Sequence, residues 1–232
     1  MTIQAVVTDI EGTTTDINFV HQVLFRYAYE HLPDYVRSRG ATDPIVQALL
    51  VEVSREIDEP GADVEALISA LLSWIEQDRK VSALKRLQGL IWVEGYRQGH
   101  FTGHVYADAC QALKAWRRRG VVLYVFSSGS AQAQQLLFRY SDCGDLTSLF
   151  SGYYDTAIGA KRDRRAYQNL VVSIGLPARD ILFLSDTVAE LDAAQAVGLM
   201  TTRLVRDASA SIDAGCAHPV ATSFDRIELA SF

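Results

Sequence analysis

The chain has 232 residues, 49% hydrophobic and 22% charged, with a formal net charge of −6. That is enough for one large or two smaller globular domains. The acidic balance weighs against nucleic acid as a partner, which needs a basic face, but leaves room for a small phosphorylated ligand with only a local positive site. The cysteines Cys110, Cys143 and Cys216 form no Cys-x-x-Cys pair, so reduced thiols are expected rather than a metal or redox site. The N-terminus carries no signal-type segment, and no apolar run approaches the roughly 20 residues that span a bilayer. The expectation is a cytoplasmic protein without membrane or nucleic-acid partners.

Residues 3–8 read as a buried strand that breaks into Asp9-Ile10-Glu11-Gly12-Thr13-Thr14-Thr15. Alternation along an extended backbone puts Asp9 and Glu11 on one side and turns Ile10 away. Gly12 then permits a sharp turn. Taken alone, the stretch reads equally as a solvated turn, since Asp and Thr suit turns and helix caps, or as a catalytic loop at the carboxyl end of a strand.

From Asp16 to about Gly99 the pattern is helical. Phe19, Val20, Val23, Leu24 and Tyr27 recur at helical spacing until Pro33 interrupts them. Ile45, Leu49, Val53 and Ile57 make a second stripe, punctuated by Pro60 and Gly61. Val64, Leu67, Ile68, Leu71, Leu72 and Ile75 make a third; Leu84, Leu87, Leu90 and Ile91 make a fourth that ends near Gly95 and Gly99. Four successive helices between α/β segments predict a helical insert packed as a small bundle.

The α/β pattern resumes near Tyr106. A helix through Ala112, Leu113 and Trp116 ends in Arg117-Arg118-Arg119-Gly120, a C-terminal signal more than a binding patch. Val121–Phe126 is a continuous apolar strand that stops at Ser127-Ser128-Gly129-Ser130, with a helix from about Ala131 to Tyr140. A weaker strand lies near Gly152–Asp155, and Gly159-Ala160-Lys161 precedes a helix through Tyr167, Leu170 and Val171. Residues 181–184 form another buried strand, ending at Ser185-Asp186; its helix carries Leu191, Ala194, Ala196 and Val197, and Met200–Val205 is the last strand expected. Continuous apolar strands alternating with helices imply an α/β fold, a doubly wound parallel sheet covered on both faces. Right-handed crossovers place every carboxyl end on one edge, so the Asp9, Ser127 and Asp186 loops converge and Lys161 can reach them.

That convergence allows phosphoryl transfer. Asp9 can attack phosphorus and form an aspartyl-phosphate. Glu11, one pleat further, can protonate the leaving group and then activate water. Asp186 can hold a magnesium ion together with Asp9, in an oxygen shell that suits it. Ser127, Ser128 and the amides that follow, at a helix N-terminus, offer an anion site, and Lys161 a compact positive charge. Glu190 can support the metal from behind. Each residue also has a plainer reading. Asp186, Ser127 and Ser130 serve as caps, Lys161 lies on the surface, and Glu190 and Asp192 form a solvated helix face. The histidines at 21, 31, 100, 104 and 218 have no motif support and read as surface or packing residues.

The order Asp-x-Glu, Ser, Lys, Asp resembles the haloacid dehalogenase-type phosphatases, and the helical insert resembles their cap domain, which closes over the phosphate loop. Further details are similar to the acireductone synthase family, the bifunctional enolase-phosphatases of methionine salvage. They are Asp-Ile-Glu-Gly-Thr-Thr from Asp9, Gln88-Gly89-Leu90-Ile91-Trp92 with Gly95-Tyr96 and Gly99, Ser127-Ser128-Gly129-Ser130 with Ala133-Gln134, Gly144-Asp145-Leu146, and Leu184-Ser185-Asp186 with Glu190-Leu191-Asp192-Ala193-Ala194. The resemblance runs from about residue 5 to 205. It implies a haloacid dehalogenase-like Rossmannoid core in residues 1–15 and 100–232, with a helical cap in 16–99 after the first strand. It also implies magnesium-dependent conversion of 2,3-diketo-5-methylthiopentyl-1-phosphate to acireductone and phosphate. The family carries metal ligands for one Mg2+ per chain onto Asp9, Glu11 (through its main-chain oxygen) and Asp186, and substrate contacts onto Ser127, Ser128 and Lys161. Asp163 and Ala166-Tyr167 stand where the family usually has Glu and Ser-Tyr, and Arg26 where a proline is common. Nothing in the pattern demands a partner subunit, so a monomer is expected. Two readings stay open beside this one: a magnesium phosphatase or phosphomutase of the same fold acting on another small phosphorylated metabolite, and a non-catalytic binding protein.

Overall fold

A computed structural model of the chain describes residues 2–207 and 217–229. Cys216 lies outside the described residues; Cys110 and Cys143 are free thiols. The chain divides into two compact units, one formed by residues up to Ile17 and from Gly103 onward, the other by Asn18–Thr102.

Among the described residues, the first unit is built on a parallel sheet of six strands: β1 (Ala5–Thr8), β2 (Val122–Phe126), β3 (Phe150–Tyr154), β4 (Ile181–Ser185), β5 (Met200–Leu204) and β6 (Val220–Ala221), in the order β3-β2-β1-β4-β5-β6. This is the expected doubly wound sheet. β1 sits at its centre: Ala5 to Thr8 pair with Val122 to Val125 on one side and with Ile181 to Leu184 on the other. Both β1 and β4 are buried along their whole length, as their unbroken apolar runs require. β6 was not expected; two residues are too few to show a periodic pattern, yet they pair with Arg203 and Leu204 of β5.

The second unit is helical. The chain enters it through α1 (Ile17–Phe19) and a π-helical segment (Val20–Phe25), followed by α2 (Arg26–Arg39), α3 (Pro44–Glu56), α4 (Val64–Glu76) and α5 (Ser82–Gln98). Leu32, Val36, Val46, Leu49, Val53, Leu71 and Leu87 form its fully buried centre. Asp43 and Asp63 start α3 and α4 by accepting from backbone amides of the first turn.

Two expectations for this unit fail. Pro33 does not interrupt its helix but lies inside α2. Proline removes one backbone bond there, and the burial of Ala28, Leu32, Tyr35 and Val36 on the same helix outweighs that loss. The stripe of α3 also fails at its first position, while Leu49 and Val53 are fully buried as expected. Val46, Leu49, Leu50 and Val53 are buried, whereas Ile45 is 56% exposed. Adjacent positions differ by about 100° on a helix, and the neighbouring helices decide which of two apolar edges faces inward. Gly95 marks the tightest packing: a Cβ there would come within 2.5 Å of the Phe101 ring and 2.8 Å of the Tyr27 ring. α5 therefore runs through Gly95 and ends at Gly99.

Among the described residues, four helices flank the sheet: α6 (Ala107–Arg118), α7 (Ala131–Arg139), α8 (Arg164–Ile174) and α9 (Val188–Gln195). Arg117, Arg118 and Arg119 are exposed at the end of α6, as a helix-end signal requires. α9 is shorter than expected and leaves Ala196 and Val197 beyond it. Ala5, Val7, Phe126, Ile181 and Phe183 of the sheet pack with Tyr167 and Leu170 of α8 and with Leu191 and Ala194 of α9. No helix among the described residues is long and apolar enough to cross a membrane.

Leu87 is fully buried in the helical unit. Leu87→Ala is expected to destabilise the chain by about 2–5 kcal/mol, read as a lower urea midpoint; an unchanged midpoint would contradict this packing.

Candidate active site

The loop after β1 is a compact, internally bonded turn. Asp9 stays in register with the sheet, its amide donating to Leu184 O at 2.9 Å. The carbonyl of Ile10 then receives the amides of Thr13, Thr14 and Thr15 at 3.1, 2.9 and 2.9 Å. Gly12 adopts φ +68°, and its amide donates to Thr15 O at 2.8 Å. The three threonines are fully buried, so this is no solvated turn. The Thr14 hydroxyl donates to Asp9 O at 3.2 Å and that of Thr15 to His104 O at 2.8 Å, while the oxygen of Thr13 accepts the Asp186 amide at 3.1 Å. Gly12 is needed on two counts. Its backbone is left-handed, and a Cβ there would stand 2.2 Å from Asp186 Oδ2.

A cavity of about 330 Å³ opens above this loop. Asp9, Glu11, Ser128, Lys161, Asp186 and Glu190, all singled out from sequence, line it together with Ile17, Thr156, Ala160, Arg162 and Thr187. Asp9 and Glu11 thus face the same space, while Ile10 is buried away from it. Thr156 arrives from a short 3-10 turn with no distinguishing pattern in the sequence, whereas Arg162 directly follows Lys161. Thr187 is adjacent to Asp186 and donates to its Oδ1 at 3.0 Å.

Lys161 is buried, not a surface lysine. Its ammonium bridges Asp9 Oδ1 at 2.6 Å and Glu190 Oε2 at 2.7 Å. Tyr167 fixes the backbone beneath it, donating to Lys161 O at 2.8 Å. Burial disfavours the ammonium, but the charges of Asp9 and Glu190 outweigh that and hold its pKa above the ordinary lysine value. Glu190 is not on a solvated face: it pairs with Lys161 and accepts from Ser185 Oγ at 2.9 Å. Burial, then the charge of Asp9, raises the pKa of both Glu190 and Asp186.

The Ser127 loop differs from expectation. Ser127 is buried, its Oγ accepting from Gly129 N at 3.3 Å, which leaves the hydroxyl proton for another acceptor. Exposed Ser128 lines the cavity and Ser127 does not. The amides of Ala131 and Ala133, which open α7, already donate to Asp155 Oδ2 and Ser130 Oγ. That end of α7 therefore has fewer donors for an anion than its sequence suggests. Gln134 pins the loop, donating to Gly129 O at 2.7 Å and Tyr154 O at 2.8 Å.

Four carboxylates against two cations leave the cavity wall with excess negative charge. No three His, Cys, Asp or Glu side chains form a ready metal cage among the described residues. An ion here would be held by fewer carboxylates, with main-chain oxygen or water completing its shell. The oxygen donors of Asp9, Glu11 and Asp186 fit a small, hard divalent cation.

A family model of haloacid dehalogenase-like hydrolases matches residues 3–198, and the chain belongs to that family of hydrolases. Within it, the chain belongs with the enolase-phosphatases. It is 53% identical to Enolase-phosphatase E1 of Yersinia pestis (strain Pestoides F) over 230 residues, 99% of each chain. It is 54% identical to Enolase-phosphatase E1 of Pseudomonas aeruginosa (strain LESB58) over 225 residues, 97% of each. Among solved structures, the UTR4 protein of Saccharomyces cerevisiae superposes with a TM-score of 0.84 at 35% identity, covering 97% of this chain and 100% of that one. A dehalogenase with an intermediate complex superposes with a TM-score of 0.58 at 19% identity, over 97% of this chain and 95% of that one, and shares the fold.

Gly12→Ala is expected to fold, at a cost of about 1–2 kcal/mol for its left-handed backbone. It should also push Asp186 aside and lower phosphate release by at least about 100-fold. Circular dichroism and a phosphate assay check the two parts, and retained activity would show that Asp186 can move without consequence.

Proposed function

We propose that the chain converts 2,3-diketo-5-methylthiopentyl-1-phosphate to acireductone (1,2-dihydroxy-3-keto-5-methylthiopentene) and phosphate, the enolase-phosphatase step of methionine salvage, with one Mg2+ per chain. The observation that carries this reading is the buried contact between Lys161 Nζ and Asp9 Oδ1 at 2.6 Å, at the carboxyl end of the central strand. It is supported by full-length similarity to proteins named Enolase-phosphatase E1.

Asp9 is the nucleophile. Lys161 claims Oδ1 and orients the carboxylate, so Oδ2 presents its lone pair to phosphorus and forms the aspartyl-phosphate. The Lys161 ammonium also offsets negative charge on the transferring group. Ser128 and the Ser127 hydroxyl donate to phosphate oxygens. Glu11 protonates the leaving oxygen, then takes a proton from the water that cleaves the aspartyl-phosphate. Enolisation needs a base beside the carbon next to the carbonyl, and Glu11 is the candidate from this unit. Asp9, Asp186 and the main-chain oxygen of Glu11 would hold the magnesium ion. When bound, it supplies positive charge that stabilises phosphoryl and enolate oxygens. The helical unit is assigned as the cap, residues 16–99, and residues 1–15 with 100–232 as the core. All of these residues come from one chain, which suits a cytoplasmic monomer.

The test supplies the diketo phosphate with magnesium and follows phosphate and the absorbance of the conjugated product together. Both should rise in parallel. Phosphate without the conjugated product would mean a plain phosphatase, and neither signal would reject the assignment. A chelator should stop turnover and added magnesium restore it. Asp9→Asn is expected to abolish phosphate release in a chain that still folds; turnover by that variant would remove Asp9 as nucleophile. Glu11→Gln should slow the chemical step by about 100-fold or more and leave magnesium affinity nearly unchanged, since the main-chain oxygen remains. A loss mainly of affinity would contradict that division of roles.

A further inference from the structure

Arg206 follows β5 and reaches past the end of β4 to the loop after β1. Its Nε donates to Thr13 O at 2.8 Å, and its Nη1 to Asp108 Oδ2 at 2.7 Å. The guanidinium lies 4.2 Å from the centre of the Tyr106 ring and 5.1 Å from that of Phe224. Its side chain is only 10% exposed. The anchor is itself fixed, because Asp108 Oδ2 also accepts the Phe224 amide at 2.7 Å. A planar fork held between two rings, with donors aimed at two different acceptors, is a task that an ammonium cannot reproduce.

The loop does not need Arg206 in order to close. Its turn is made by the amides gathered on Ile10 O, and Tyr106 N donates separately to Thr14 O at 2.9 Å. Arg206 adds a restraint on Thr13 alone. Thr13 is the residue whose hydroxyl oxygen receives the Asp186 amide, next to the glycine that leaves room for the Asp186 carboxylate. We propose that Arg206 is a positioning residue that holds Asp186 in register with Asp9 through Thr13. It touches neither substrate nor ion. The proposal rests on the reading of this cavity as the phosphoryl-transfer site.

The test uses Arg206→Met, which keeps apolar bulk between the two rings, and Arg206→Lys. Manganese ion alone is the probe of the carboxylate pair, its binding read by electron paramagnetic resonance, with kcat, KM and the melting temperature measured in parallel. Arg206→Met is expected to lose about 10-fold or more in both manganese affinity and kcat, with KM for the diketo phosphate little changed. Arg206→Lys should recover part of the loss. Wild-type manganese affinity and kcat below the melting temperature of Arg206→Met would overturn the proposal, whatever the change in stability. If Arg206→Met does not fold, Thr13→Val removes the acceptor of the Asp186 amide and leaves the Thr13 carbonyl to Arg206. It should show the same loss of manganese affinity, and wild-type affinity there overturns the proposal equally. A wild-type chain that binds manganese but releases no phosphate would reject the proposed activity, while the affinity losses would still support the role of Arg206.

Discussion

Lys161 sits buried between Asp9 and Glu190 on the wall of the cavity, and the surrounding architecture follows from the need to keep those three charges together. A buried ammonium is costly unless carboxylates hold it, and buried carboxylates are costly unless a cation or hydrogen bonds hold them. The cluster meets that demand incompletely. Glu190 is satisfied by Lys161 and Ser185 and Asp9 by Lys161, but Asp186 is half-buried beside the same negative charge, its carboxylate held by the Thr187 hydroxyl. The remaining negative charge faces the cavity. A hard cation and a phosphate ester together would complete it, the ion beside the carboxylates and the ester oxygens beside Lys161 and the serines.

The sheet order makes this cluster possible. β1 lies between β2 and β4, so Asp9, the Ser127 loop and Asp186 leave three adjacent strands at one edge. Strands about 5 Å apart bring loops separated by more than a hundred residues within side-chain reach. Glu190 comes from the first turn of α9, directly after β4, and Lys161 from the approach to α8. Tyr167 links the two levels: its ring packs against Phe126 and Phe183 in the core, and its hydroxyl holds the Lys161 carbonyl. Core packing and charge placement are therefore coupled through one side chain.

The loop after β1 shows a second kind of constraint. Its hydroxyls and carbonyls are nearly all used within the protein, by Ile10, His104, Tyr106, Asp186 and Arg206. A loop fixed on so many sides does not need to reorganise as charge moves during phosphoryl transfer, which is where preorganised electrostatics gain their advantage.

Much of this was readable in the residues themselves. A continuous apolar strand that breaks into Asp9-x-Glu11-Gly12, or into Ser185-Asp186, announces a strand end with carboxylates at it, because period and polarity are local properties. The helix-end arginines and the caps Asp43 and Asp63 obey equally local chemistry. What only tertiary structure decided lies between distant segments. Lys161 meets Asp9 across 152 positions, and Arg206 meets Thr13 across 193. The same holds for the survival of Pro33 inside α2, for the face that α3 buries, and for the capture of the α7 amides by Asp155 and Ser130. The sequence by itself determined which elements form and which acidic groups stand at strand ends. The tertiary structure decided which charges meet and which donors remain for a ligand, because pairing energies depend on distance through space and on exclusion of water, and neither is a function of position along the chain.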